Sequence, residues 1–267
     1  MNKSATKQLI NRLQDEKAHG ISGGIYNYLQ VEAAYNSNHI EGSRLSHEQT
    51  RYIYETHSLS GDNIQADDVI ETVNHFRCFD YILDTIGKPL TEDYVKQLHR
   101  ILKTGTFSSK SSVAVVGDYK KYANTVNDIE TADPSEVHER MERLLSVLNL
   151  KVPIQFDDLL DFHAEFEKIH PFYDGNGRVG RLLLFKEALR SDIIPFIISD
   201  DIKLYYYRGL KEWQTGGEKG YLRDTCLSMQ DRIKAVLDYF TIRYEMTQTE
   251  TESAKAETRK KKHPPVR

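Results

Sequence analysis

His170-Pro171-Phe172-Tyr173-Asp174-Gly175-Asn176-Gly177-Arg178-Val179-Gly180-Arg181 is the stretch around which the rest of the chain is organised. Upstream, Asp157 to Ile169 is amphipathic and has to stop before Pro171, because the residue preceding a proline is pushed out of the α region. Downstream, Leu182, Leu183, Phe185 and Leu189 predict a helix over Arg178 to Arg190. A polar, glycine-containing turn therefore joins two helices. Gly175 and Gly177 leave the backbone bare, so amide N–H groups there can approach an anion closely. Those amides also open a helix, where the peptide dipoles favour negative charge. His170 has an ordinary pKa near 6.5, which suits proton abstraction at neutral pH. Asp174 is a hard oxygen ligand of the kind Mg²⁺ takes alongside phosphates, and Arg178 and Arg181 are bidentate partners for phosphate oxygens. Gly-Asn-Gly alone is a common turn. Base, metal carboxylate, anion cradle and two guanidiniums within twelve residues are the inventory of phosphoryl-type transfer.

The surrounding sequence is mostly helical. Gln30 to Asn38 predicts a short helix leading into Ser37 to Gly42, and Asp67 to Ile86 repeats apolar residues at helical spacing until Gly87-Lys88-Pro89. Thr91 caps a helix through Leu102, with Glu92 and Asp93 in its first turn. Pro134 opens another, to Leu148. Ser111 to Asp128 differs: Val113, Val115, Val116, Tyr119 and Tyr122 around Gly117-Asp118 predict a β-hairpin. Thr247 to Arg267 is polar, ends in Lys260-Lys261-Lys262, and is expected to be disordered. There is no internal repeat. The expected class is all-α with a small β-hairpin flap. Its divisions are an N-terminal helical region (1–66), a catalytic core (67–215), a helical extension (216–246) and a basic tail (247–267).

Composition narrows the function. With 267 residues, 39% hydrophobic and 28% charged, the chain has the make-up of a soluble globular protein. Its formal charge of −4 gives no general reason to expect nucleic-acid binding, which rests on the terminal lysines alone. Two cysteines, Cys78 and Cys226, are too few for a disulfide framework and are expected as buried thiols. The N-terminus lacks an apolar signal region, and no window approaches the roughly 18 apolar residues of a membrane span. A cytoplasmic location is the expectation.

The motif matches at every fixed position the signature of the Fic family, His-Pro-Phe-x-(Asp/Glu)-Gly-Asn-Gly-Arg-x-x-Arg, and the resemblance extends over roughly Gln30 to Leu210. It implies a protein adenylyltransferase, which moves AMP from ATP to a Tyr, Ser or Thr hydroxyl of a target protein. In that role His170 would take the hydroxyl proton and Asp174 would hold Mg²⁺. The backbone around Asn176 and Gly177 would stabilise the α-phosphate, and Arg178 and Arg181 would orient the outer phosphates. Glycine at 175 fits nucleotide transfer. Ser37-Asn38-His39-Ile40-Glu41-Gly42 resembles the family's inhibitory motif, with Ser37, Glu41 and Gly42 at its fixed positions. Glu41 would then pair with Arg181 and take the space of the γ-phosphate.

The resemblance leaves other readings open. The same glutamate serves AMP removal in some relatives, and a catalytically silent binding partner is a third possibility. The flap around Gly117 to Asn127 would hold the target by strand addition. Tyr206, with Leu210, best fits the adenine pocket among Tyr205, Tyr206 and Tyr207, although a plain aromatic core explains it equally well. His163, Glu167 and His170 share helical spacing, but Pro171 and the missing His-Glu-x-x-His pattern argue against zinc. The expected partners are ATP, a target protein, the chain itself by auto-modification, and a second copy in a homodimer. No membrane is expected among them.

Overall fold

Ten α-helices form the frame among the described residues of the computed structural model, which covers 5–243 apart from 60, 62, 63, 112, 127 and 128. They are α1 (Ala5–His19), α2 (Ile25–Ile40), α3 (His47–Thr56), α4 (Ala66–Asp84), α5 (Glu92–Lys103), α6 (Val137–Leu150), α7 (Phe156–Ile169), α8 (Asn176–Arg190), α9 (Lys203–Gln214) and α10 (Gly220–Tyr239). The expected tail, 247–267, lies outside the described residues.

Local chemistry sets the helix ends. The Thr91 hydroxyl accepts from Tyr94 N and starts α5, with Glu92 and Asp93 in its first turn, as expected. Ser46 and Gln49 form a reciprocal capping box at α3. Helix α2 runs five residues earlier than the short helix expected from Gln30. It ends at Ile40, and Gly42 leaves it with φ +98°, a backbone that favours glycine.

Helix α8 is the axis of the molecule. Every residue from Asn176 to Leu189 is buried, charged ones included. One apolar cluster gathers α4 to α7, α9 and α10 around it through Leu98, Phe166, Phe172, Leu183 and Met229. A second joins α1, α2, α4 and α10 through Leu13, Leu29, Phe79, Phe185 and Ile233. The apolar packing is therefore continuous through the boundaries expected at 66/67 and 215/216. Charge inside is paired: Lys186 Nζ lies 2.6 Å from Glu187 and donates to the Lys88 carbonyl at 2.6 Å. Helices α7 and α8 cross closely at Gly180, where a Cβ would meet Phe166 at 3.1 Å and His163 at 3.2 Å.

The hairpin expected around Gly117-Asp118 does not form there; residues 113–124 are turns and irregular backbone. Gly117 takes φ +75°, and its N–H donates to His99 Nδ1 at 2.9 Å, while Lys120 N donates to the Pro171 carbonyl at 2.9 Å. The backbone groups a strand ladder would use are spent on α5 and on the loop after α7. Strand pairing is confined to two residues on each side further along, Thr125 with Glu130 and Val126 with Ile129, antiparallel. Cys78 and Cys226 are buried free thiols.

Candidate active site

The C-terminal end of α2 meets the N-terminal part of α8. The C-terminus of α2 leaves carbonyls without an intrahelical donor, and the N-terminus of α8 leaves amides without an acceptor. Each helix sends a charge to the other. Arg181, on α8, donates Nη2 to the Ser37 carbonyl at 2.9 Å and Nε to Ser37 Oγ at 3.1 Å. Glu41, capping α2, accepts from Arg181 Nη2 at 2.7 Å. Its carboxylate lies against the first turn of α8, where a Cβ on Gly177 would collide with Oε1. An anion thus already sits at the helix terminus that the bare glycines prepare. The Arg181 side chain is 8% exposed and that of Glu41 is 30% exposed.

The loop before α8 is held from within. Asn176 Oδ1 accepts from Phe172 N at 2.8 Å, and its Nδ2 donates to the Phe172 carbonyl at 2.9 Å. Its side chain is therefore a staple, and any anion contact at this position falls to the backbone. Gly175 takes φ +82° at the N-cap. Phe172 stacks on His99, with ring centroids 3.9 Å apart and planes 3° apart. His99 Nε2 donates to the Asp174 carbonyl at 3.1 Å while Nδ1 accepts from Gly117. Burial holds His99 down at about 4, so it stays neutral and keeps this tautomer.

A second group of charges surrounds Asp174. Its Oδ2 accepts from Lys103 Nζ at 2.5 Å and its Oδ1 from Arg178 Nη2 at 3.3 Å. Glu71 accepts from both Lys103 and Arg178. Burial opposes ionisation of Asp174, but Arg178 and then Lys103 outweigh it and hold the carboxyl at about 2. An ammonium between two carboxylates shows that the place suits a cation. Among the described residues no cluster of three or more His, Cys, Asp or Glu could hold a metal alone. A divalent ion at Asp174 fits only by drawing further ligands from water and phosphates, which is the usual habit of Mg²⁺.

His170 caps α7 in the left-handed region, φ 52°, with its N–H on the Phe166 carbonyl. Lys120 brackets it, with its N–H on the Pro171 carbonyl at 2.9 Å and Nζ within 3.4 Å of the Ile169 carbonyl. Burial, and then the Lys120 ammonium, hold His170 down at about 4. Nδ1 is buried, and the ring meets the Glu167 backbone.

The structure therefore brings together His170, Asp174, Gly175, Asn176, Gly177, Arg178, Arg181, Ser37, Glu41 and Gly42. Tyr206 is fully buried behind them; its hydroxyl lies 2.6 Å from His163 Nε2 and beside the Arg181 guanidinium. Glu71, Lys103, His99 and Lys120 also belong to the site, although no motif marks them. In sequence Lys103 is a lysine at the end of an amphipathic helix, with nothing to separate it from a solvated one.

A family model described as the Fic/DOC family matches residues 89–187. The chain carries a Fic/DOC-family domain. The Fic domain's curated relatives include "Protein adenylyltransferase Fic" of Nematostella vectensis, 27% identical over 226 residues, covering 78% of this chain and 49% of that one. The protein of the same name from Drosophila willistoni is 27% identical over 196 residues, covering 71% and 38%. The chain thus spans about half or less of the length of these relatives. Two solved structures share the Fic fold. One is a Fic domain containing signaling protein from Bacteroides thetaiotaomicron, with TM-score 0.68, 24% identity, and coverage of 85% of this chain and 93% of that one. The other is Fic-1 from C. elegans, with TM-score 0.65, 21% identity, and coverage of 89% and 73%. Among the described residues, no helix is long and apolar enough to cross a membrane.

Proposed function

We propose that this chain is a protein adenylyltransferase held in check by Glu41. The observation that carries the reading is the Glu41 carboxylate seated on the N-terminus of α8, against Gly177 and in a 2.7 Å pair with Arg181. A site that accepts a carboxylate there has the charge and space for a phosphate. The names of the relatives supply adenylyl transfer as the reaction class.

In this reading ATP lies with its phosphates along the first turn of α8. The backbone amides around Asn176 and Gly177 receive the α-phosphate, while Arg178 and Arg181 hold the outer phosphates. A hydroxyl of the target Tyr, Ser or Thr attacks the α-phosphorus; an O–P bond forms, the bond to the β-phosphate oxygen breaks, and pyrophosphate leaves. His170 takes the hydroxyl proton at Nε2, the ring nitrogen not sealed inside. With its pKa held at about 4, the ring is neutral at pH 7 and ready to accept. Asp174 would hold Mg²⁺, which would neutralise charge across the phosphates. Glu41 blocks the reaction while it pairs with Arg181, because a γ-phosphate needs the same guanidinium.

The test is incubation with Mg²⁺ and either α-labelled or γ-labelled ATP. Label from the α position alone, lost in His170→Ala, supports transfer of AMP. Label from the γ position would make the chain a phosphotransferase. Release of AMP from a modified protein, with no transfer, would favour the reverse reaction.

A further inference from the structure

We propose that Lys103 is a built-in cation, which fills the metal position against Asp174 in the resting protein and must be displaced when a divalent ion enters. The proposal rests on the reading of Asp174 as the metal carboxylate. Lys103 stands at the last turn of α5, its side chain only 4% exposed. A buried ammonium is tolerated only when its charge and its donors are met. Here all three of its N–H groups have oxygen acceptors: Asp174 Oδ2 at 2.5 Å, Ser108 Oγ at 3.1 Å, and Glu71. Two carboxylates and a hydroxyl around one cation resemble the oxygen shell of a small metal site.

The charges close into a ring. Lys103 and Arg178 each bridge Asp174 and Glu71, so two positive groups face two negative ones and both Asp174 oxygens are engaged. A divalent ion entering this ring without nucleotide would stand beside the buried Lys103 as a like charge, on an Asp174 carboxylate that is itself half exposed. Triphosphate supplies the negative charge that lets both cations stay. Asp174 then exchanges ammonium for metal, and Lys103 keeps Glu71 and turns toward the phosphates. Metal and nucleotide consequently enter together, and the nucleotide-free protein binds metal weakly.

Mn²⁺ titration followed by electron paramagnetic resonance, in the absence of nucleotide, reads this without reference to activity. Lys103→Met is expected to bind Mn²⁺ at least about ten-fold more tightly than wild type, and Asp174→Asn in the same background abolishes the gain. Because Lys103→Met removes one of the two cations from Glu71, Glu71→Gln/Lys103→Met is titrated beside it, with the same tightening expected. Unchanged or weaker Mn²⁺ binding in both variants overturns the proposal while leaving Asp174 as the metal carboxylate. If Asp174→Asn alters Mn²⁺ binding neither with nucleotide nor without it, the metal reading of Asp174 itself falls.

Discussion

Replacing Glu41 by glycine removes one partner of the pair that joins α2 to α8 and clears the carboxylate from Gly177. Arg181 keeps both contacts to Ser37, at 2.9 and 3.1 Å, so the guanidinium stays in place and only the competitor is lost. A charge-assisted hydrogen bond of this burial, 8% and 30% exposed on its two sides, contributes roughly 2–3 kcal/mol. At about 1.4 kcal/mol per factor of ten, that bias corresponds to a rise of about 30- to 140-fold in the competent population. A bias of about 2.7 kcal/mol, inside that range, holds a two-state site 99% closed. The assay is the initial rate of self-labelling from α-labelled ATP in wild type, Glu41→Gly and Glu41→Gln. Glutamine keeps an acceptor but no charge, and should lie between the other two, about ten-fold above wild type. A Glu41→Gly rate within about three-fold of wild type, with nucleotide affinity also unmoved, would refute the competition argument.

Gly177→Ala should leave the fold intact, since its methyl meets only the ends of the Glu41 and Arg181 side chains, which can shift, and alanine is the better helix former by about 1 kcal/mol. Its methyl nevertheless occupies the cradle, so nucleotide affinity measured by calorimetry falls by at least about ten-fold and no activation appears. Asn176→Ala unpins Phe172 N and O inside the core and should cost about 2–4 kcal/mol in urea unfolding, without regard to Glu41. The acid limb of the Glu41→Gly rate should fall near pH 4 rather than near 6.5, because burial and Lys120 depress His170; a limb at 6.5 in the rate profile would contradict that environment. Glu167 is pushed up to about 8 by burial, so its folded value lies above its unfolded one. Its stabilising contribution is complete below about pH 4.5 and is lost as pH rises through 8. Glu167→Gln should flatten this window and raise stability at pH 7 by on the order of 1–3 kcal/mol, read from unfolding curves at several pH values.

Much of the frame is legible from neighbouring residues. Thr91 with Glu92 and Asp93 announces α5, and Pro171 terminates α7, because caps and proline act within a turn of their own position. Ser46 and Gln49 cap α3 just as locally, although no helix was expected there. The hairpin around Gly117 fails for a non-local reason. Its valines and tyrosines have strand propensity, but His99, on α5, takes the turn's amide and Pro171 takes the next free one. Tyr206 shows the same limit, since an aromatic at helical spacing does not reveal its partners, here a buried histidine and the Arg181 guanidinium.

The sequence by itself determined the cradle: His170 to Arg181 is contiguous, and its glycines, staple and helix start act on one another within a few residues. It also marked Glu41 as a charge at a helix end. Only the tertiary structure decided what those groups meet. Glu41 reaches Arg181 from 140 residues away, Arg178 meets Glu71 across 107, and Lys103 meets Asp174 across 71. Such pairs are chosen by which helices pack against α8 and at what height along it. That choice is made by the burial of apolar faces throughout the core, and no short stretch of sequence contains it.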